Sequence, residues 1–191
     1  MAQVALSSGS ICRPYRSPWG AFPIKHMIPV SSNAAIHTGR MMGLLTGASS
    51  AAGQVIPTSN AAFSIVGIAA SSLAAGSTTT RNSAIPIYEA NPNVEFVANT
   101  IGGVVASSLV GLRRALHWDS TLNISVVDVA TSTGADARVV VTGIPGENGV
   151  TGLQGELGDS GAQVTFKFIT NLAGVNGSTV VSSTPLLAFY S

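Results

Sequence analysis

The sequence predicts an all-β (mainly β) protein, with short strands arranged as a barrel or sandwich, one short helix and an extended N-terminal arm. Three observations support this prediction. Short segments rich in Val, Ile, Phe and Thr recur along most of the chain. Prolines are dense in its first 35 residues. Charged residues make up only 9% of the chain, against about 25% in an ordinary soluble domain, which indicates a surface that meets other protein.

The predicted arm comprises residues 1–35. It holds four prolines, and such a density disfavours helices and central strands. The same stretch is too rich in aromatic and apolar residues to be a free linker. We therefore expect the arm to be extended and to become ordered on a partner.

Residues 36–170 form the predicted core domain. The clearest alternation lies in its last segment, where Val164, Phe166 and Phe168 share one face and the polar residues between them share the other. Short β-prone segments at irregular spacing are typical of a barrel or sandwich. The predicted strands are 40–46, 53–57, 63–70, 84–89, 94–98, 122–129, 137–142 and 163–169.

The short helix is predicted at about 105–116. Val105, Leu109, Leu112 and Leu116 fall at helical spacing, and two arginines near its end suit the helix dipole. Residues 171–191 are interpreted as a last strand or a docking tail.

The stretch "FSIVGIAASSLAAG", residues 63–76, is the most apolar part of the chain. A membrane-spanning helix needs about 18–20 apolar residues, so this run is too short. We expect a buried strand that leaves the core at Ala74–Gly76, and no membrane partner.

Glycine recurs at every third position from Gly143 to Gly161. A strict Gly-X-Y period is the signature of a collagen triple helix, because only glycine fits at its axis. However, the segment joins two predicted strands and contains a single proline. A flexible glycine-rich loop is the favoured interpretation, and a short triple helix is the alternative.

Charge is distributed unevenly along the chain. Five cations precede Glu89, the first acidic residue; from Glu89 onward four cations face eight acids, so +5 and −4 give the net charge of +1. This distribution favours head-to-tail contact between subunits, or an arm lying on an acidic surface. The cations are too dispersed to predict direct nucleic-acid binding.

The chain lacks the motifs of familiar catalytic and metal sites. Its three histidines and single cysteine do not have the spacing of a metal site, and neither a G-x-S-x-G elbow nor a Walker A sequence is present. His117 and Asp119 alternate along the chain, an arrangement that arises readily by chance. We expect no catalytic residues, no cofactor, no metal and no enzymatic activity.

Four aromatic residues are candidate anchors. For Trp19 and Phe22, an interface role and packing on the chain's own domain both remain open. For Tyr88 and Trp118, core packing is favoured, and a platform for a sugar ring is the alternative.

Several segments together are similar to the head decoration, or cement, proteins of tailed bacteriophages. The first are "GRMMGLLTG" and, from residue 53 to 96, "GQVIPTSNAAFSIVGIAASSLAAGSTTTRNSAIPIYEANPNVEF". The closing ones are "ARVVVTG" and "GDSGAQVTFKFI". The resemblance covers roughly residues 36–170 and consists of small motifs without a catalytic signature. The proline-rich arm and the Gly-X-Y stretch depart from the family pattern.

The resemblance implies a small β-barrel or β-tulip with one helix. It also implies a homotrimer on the outer surface of the virion, made in the host cytoplasm and bound where major capsid subunits meet. Such proteins stabilise the shell against the pressure of packaged DNA. Arms in this family can bridge neighbouring units, so the residues predicted to contact the capsid or another subunit lie in or near the arm: Arg13, Arg16, Trp19, Phe22, Lys25 and Arg40.

Two other classes of function remain open. The Gly-X-Y stretch slightly favours a head fibre, a spike or a tail component. A surface glycan-binding β module would use Trp118 or Tyr88 to stack on a sugar.

Overall fold

The structure is a computed structural model that describes residues 2–6, 11–29, 35–44, 54–58, 64–75, 84–132, 137–147 and 149–169. Strands dominate these ranges, which confirms the all-β fold class. The strands are β1 (Arg13–Arg16), β2 (Ile24–Met27), β3 (Met41–Leu44), β4 (Val55–Pro57), β5 (Ser64–Ala69), β6 (Ile85–Glu89), β7 (Glu95–Ile101), β8 (Arg113–Asp119), β9 (Ile124–Asp128), β10 (Val139–Gly143) and β11 (Gln163–Phe168). All eight predicted strands are present with shifted ends, and β1, β2 and β8 are additional.

Five strands close into a barrel in the order β7–β11–β10–β8–β9. Successive neighbours along this order run antiparallel, and the ring is closed by a parallel pairing of β7 with β9 through Thr100↔Val127 and Ile101↔Asp128. An odd number of strands cannot alternate in direction all the way round, so one neighbouring pair must be parallel. Closure leaves the ring without a free edge.

The remaining strands extend this barrel and build a second sheet. β1 pairs antiparallel with the first half of β7, next to the place where β9 pairs with its second half. The second sheet is antiparallel, in the order β2–β6–β5–β3–β4. A single parallel bridge of Pro29, just after β2, to Val55 of β4 is the only backbone pairing across its two ends among the described residues, so we call it the open sheet.

Three phenylalanines form the centre of the barrel. The ring centroids of Phe96, Phe166 and Phe168 lie 5.1–5.9 Å apart, in edge-on and stacked arrangements. All three side chains are buried. The alternation predicted for residues 163–169 is thus confirmed on its apolar side, since Val164 belongs to the same core.

The open sheet packs one face on the barrel. Met41 and Ile68 join the barrel core, whereas the next residues, Met42 and Ala69, belong to a second buried cluster. Consecutive residues of a strand point to opposite faces, so this division shows that both faces of the open sheet are covered. Barrel and sheet therefore share a core.

The helix predicted at 105–116 is wrong. This region contains a single 3-10 turn at Ser107–Leu109, then Gly111 at a φ of 81°, then β8. The left-handed backbone at Gly111 ends the turn. Leu112, on the expected buried face, is 43% exposed. Pairing of β8 with both β9 and β10 overrides the local helical spacing.

The predicted arm also differs from the expectation. Residues 13–16 and 24–27 are strands of the chain's own two sheets, and Cys12 lies in the barrel core. Proline is compatible with β1 because this strand occupies a sheet edge. Residues 171–191 and Gly76 lie outside the described residues. Among the described residues, no helix is long and apolar enough to cross a membrane.

Candidate interaction surface

Five of the six predicted contact residues lie on the stretch that joins the barrel to the open sheet. We call residues 13–25 the connecting strip. Trp19 is 56% exposed and Phe22 is 37% exposed. Ile24, which the sequence analysis did not single out, is 49% exposed. The cationic residues of the strip are exposed as well: Arg13, Arg16 and Lys25.

Hydrogen bonds fix the barrel end of the connecting strip. The Tyr15 hydroxyl donates to the Thr151 carbonyl at 2.8 Å and accepts from the Thr151 N–H at 3.0 Å. Arg16 Nη2 donates to the Gly149 carbonyl at 2.7 Å, and its guanidinium lies over the Tyr15 ring. Tyr15 was missed at the sequence level, although it lies between Arg13 and Arg16, two of the predicted contact residues.

Contacts to β6 fix the other end of the connecting strip. The Phe22 ring meets the Tyr88 ring edge-on, with centroids 6.3 Å apart. Lys25 forms an ion pair with Glu89. Between the two ends, the turn is closed by a hydrogen bond from the Gly20 N–H to the Ser17 carbonyl. The exposed apolar side chains are therefore held on a backbone that is supported at both ends.

Arg40, the sixth predicted contact residue, is placed differently. Its guanidinium lies over the Trp118 ring, 4.5 Å from the centroid, and Nη1 donates to the Ala35 carbonyl at 3.0 Å. Burial lowers the pKa of this arginine from its ordinary value. Arg40 thus packs β8 against the turn before β3, apart from the connecting strip.

The two aromatic residues considered as sugar platforms are already in contact with other side chains. Trp118 is stacked by His37 at 5.9 Å and covered by Arg40. Tyr88 packs against the barrel core and receives Phe22 at its edge. These contacts agree with the favoured interpretation of both residues as packing groups.

The titratable residues form structural pairs. His117 Nε2 lies 3.5 Å from Asp128 Oδ2, and Asp128 accepts hydrogen bonds from the Thr131 hydroxyl and the Ala130 N–H. Asp119, the neighbour considered in the sequence, instead accepts hydrogen bonds from two N–H groups of the following turn. In the described part of the chain, no group of three or more His, Cys, Asp or Glu residues is placed to hold a metal ion.

A cysteine and a histidine can act together as nucleophile and base only when they lie side by side. Cys12 and His26 lie in different environments. Cys12 is 1% exposed within the core, and burial raises the pKa of its thiol. His26 is exposed on β2. A buried protonated thiol is a poor nucleophile.

The Gly-X-Y stretch is a loop between β10 and β11 rather than a triple helix. A collagen chain needs φ near −75° at each residue. Here six of the seven glycines that recur at every third position have a positive φ, between 72° and 94°: Gly146, Gly149, Gly152, Gly155, Gly158 and Gly161. The triple-helix alternative is therefore wrong for this fold, and the loop instead lies beside β1, where it receives Tyr15 and Arg16.

No protein-family model, curated protein or solved structure matches this chain. The similarity to phage decoration proteins accordingly stays a prediction from the sequence motifs.

Proposed function

We propose that the chain is a structural virion protein that binds the outer surface of an icosahedral phage head and stabilises contacts between major capsid subunits. It acts as a homotrimer and by binding alone. The observation that supports this most is the connecting strip, which presents Trp19, Phe22 and Ile24 beside three cations on a well-supported backbone.

The composition of the connecting strip suits a protein interface. Tryptophan and arginine are enriched among the residues that dominate binding energy, and burying one large apolar side chain contributes about 1.5–3 kcal/mol. A backbone fixed before binding loses little conformational entropy on association. The strip therefore has the features of a preorganised anchor.

A shell offers many equivalent positions for such an anchor. Each trimer would present several anchors, so modest individual contacts act together through a high effective concentration. Binding to the assembled shell but not to separated subunits stabilises the shell by mass action. This mechanism needs no chemical turnover.

The alternative functions receive less support. The loop geometry removes the triple helix that favoured a fibre, spike or tail component. The packing of Trp118 and Tyr88 against neighbouring side chains disfavours a glycan platform.

The test is co-sedimentation of purified protein with heads from the encoding virus that were assembled without it. We expect the wild-type chain to bind, and a Trp19→Ala/Phe22→Ala variant to bind at least about tenfold more weakly, a difference of about 1.4 kcal/mol. The matched control is Leu112→Ala, because Leu112 is exposed to a similar degree, 43%, directly before β8.

The two variants should unfold at the same temperature as the wild type, which separates lost contact from lost folding. Absence of wild-type binding would contradict the proposed function. Equal binding by the double variant would contradict the role of the strip. Light scattering after size-exclusion chromatography should give the mass of a trimer.

A further inference from the structure

A short N-terminal segment lies as an added strand on the end of the β10–β11 loop. The Val4 N–H donates to the Ser160 carbonyl at 2.9 Å, and the Ser160 N–H donates to the Ala2 carbonyl at 3.2 Å. Gln3 pairs with Ser160 in a parallel bridge. The Ala2 N–H donates to Asp159 Oδ1 at 2.8 Å. These contacts join positions about 157 residues apart, so no local chain geometry produces them.

The loop is shaped around Val4. A methyl group added at Gly155 would come within 2.7 Å of Ala162 Cβ and 2.8 Å of Val4 Cγ2, and one added at Gly161 would come within 2.6 Å of the Val4 carbonyl oxygen. These two glycines form the walls of what we call the strand trough, the surface of residues 154–161 facing Val4. In contrast, an added methyl group at Gly158 would meet nothing within 4 Å.

The trough is supported from beneath by buried amide groups. Asn99 Nδ2 donates to the Gly161 carbonyl at 2.8 Å. Gln163 Nε2 donates to Asn99 Oδ1 at 3.3 Å, and its Oε1 accepts from the Gln154 N–H at 3.1 Å. Asn99 is 0% exposed and Gln163 is 6% exposed. None of these hydrogen bonds involves residues 2–6.

The segment itself is held more lightly than the trough. Val4 is only partly buried, and Gln3 and Ala5 are exposed. A cavity of about 200 Å³ lies beside the segment, which lines it together with residues 100–103, Ser160 and Gly161. A segment with few contacts beside spare volume can leave its site at modest cost.

We infer that the strand trough is a receptor for residues 2–6 of a second copy of this chain, so that copies are linked by exchange of N-terminal segments. The seated segment shows which chemistry the trough recognises: parallel backbone pairing to Ser160 and a valine between two glycines. Exchange reproduces the same contacts between copies, which makes it a low-cost route to association.

Chain length limits how the copies pack. Five residue steps separate Leu6 from Ile11, which lies beside Cys12 at the start of β1. At about 3.5 Å per extended residue, Leu6 reaches at most about 17 Å from Ile11. The neighbour's trough must therefore lie close to β1. This inference does not depend on a capsid partner.

The test uses two variants with different affinity tags, co-expressed so that exchange can occur during folding. One carries Gln3→Cys and the other carries Ser160→Cys. Because these positions pair in the bridge, exchange places the two thiols within disulfide reach. Mild oxidation should give a doubly tagged, disulfide-linked pair. The native Cys12 is kept in both variants, because its burial in the core keeps its thiol away from the cross-linking reaction.

The matched control replaces Gln3→Cys by Ala5→Cys, which lies on the same segment two residues out of register. We expect the in-register pair to cross-link at least about tenfold more than this control, and Val4→Asp in the donor to reduce that yield to the control level. A chain carrying both Gln3→Cys and Ser160→Cys shows, by a disulfide within one chain, whether the segment occupies its own trough. Cross-linking within that chain, with no doubly tagged pair above the control in the mixed sample, would overturn the inference.

Discussion

The closed barrel and the open sheet bury their strands differently. Each barrel strand pairs on both sides, and five of the seven residues of β7 and five of the six residues of β11 are buried. The open sheet ends in β2 and β4, which each pair with one neighbour in the sheet. In β2, three of the four residues are exposed. The barrel is thus suited to a scaffold, whereas the edge of the open sheet is suited to contact.

The charge distribution follows the same division. The open sheet is formed by residues 24–89, within the basic front of the sequence, and the barrel is formed by residues 95–168, within the acidic remainder. β1 is the exception, because it is a basic strand placed on the barrel. A cationic edge and an acidic barrel favour contact between unlike surfaces of neighbouring molecules.

The largest expected effect is the loss of an aromatic ring from the barrel. Phe166→Ala should lower the free energy of unfolding by about 3–5 kcal/mol, because it leaves a cavity between two other buried rings. The matched change Phe22→Ala at the edge of the open sheet should cost about 1 kcal/mol or less. Urea denaturation measures both. Equal losses would contradict the division into scaffold and contact surface.

A smaller effect is expected from the glycines of the strand trough. Gly161→Ala and Gly158→Ala both place an L-residue at positive φ, which costs about 1–2 kcal/mol. Only the methyl group of Gly161→Ala also collides with the seated segment, at the Val4 carbonyl oxygen, so this variant should destabilise the chain by about 1–3 kcal/mol more. If the two variants are equally stable in urea, Val4 does not occupy the trough.

The smallest expected effect is a pH dependence that resides in the barrel. Burial alone would raise the pKa of the Asp128 carboxyl, but hydrogen bonds from the Thr131 hydroxyl and from the N–H groups of Ala130 and Thr131, together with His117, hold it below 3.8. The folded state therefore binds this proton less readily than the unfolded state. The stability that Asp128 contributes is therefore present above pH 3.8, the ordinary pKa of the group. It is lost as the pH falls through the lower pKa of the folded state.

We expect Asp128→Asn to remove part of the acid destabilisation seen in wild-type protein when unfolding is measured from about pH 6 to pH 2. Glu89→Gln is the matched control in the open sheet. Its ion pair with Lys25 is solvent-exposed, and such pairs contribute about 0–1 kcal/mol. An unchanged acid profile for Asp128→Asn would show that this carboxylate adds no pH-dependent stability.

Local patterns predicted much of the barrel but not its closure. The alternation of Val164, Phe166 and Phe168 identified a barrel strand and its buried face, because burial on one side leaves a period of two. The parallel pairing of β7 with β9 joins residues far apart in sequence, and nothing local specifies it. The strand β8 was hidden for a related reason, since its pairing on both sides determines its structure more than its leucine spacing does.

The candidate surface was predicted in part. Aromatic and basic residues pointed to the connecting strip, but composition could not distinguish Arg40, which packs on Trp118, from the exposed arginines. Ile24 was missed because its exposure depends on β2 lying at a sheet edge. The proline density suggested an arm, whereas edge pairing with β7 and β6 accommodates these residues within the fold.

We propose that this chain is a component of the outer surface of a virus particle. The most direct test is quantitative mass spectrometry of density-purified particles from the encoding virus, combined with antibody labelling of intact particles. We predict a fixed ratio of this chain to the major shell protein and labelling without disruption of the particle. Absence of the chain from purified particles, or labelling only after disruption, would contradict the account.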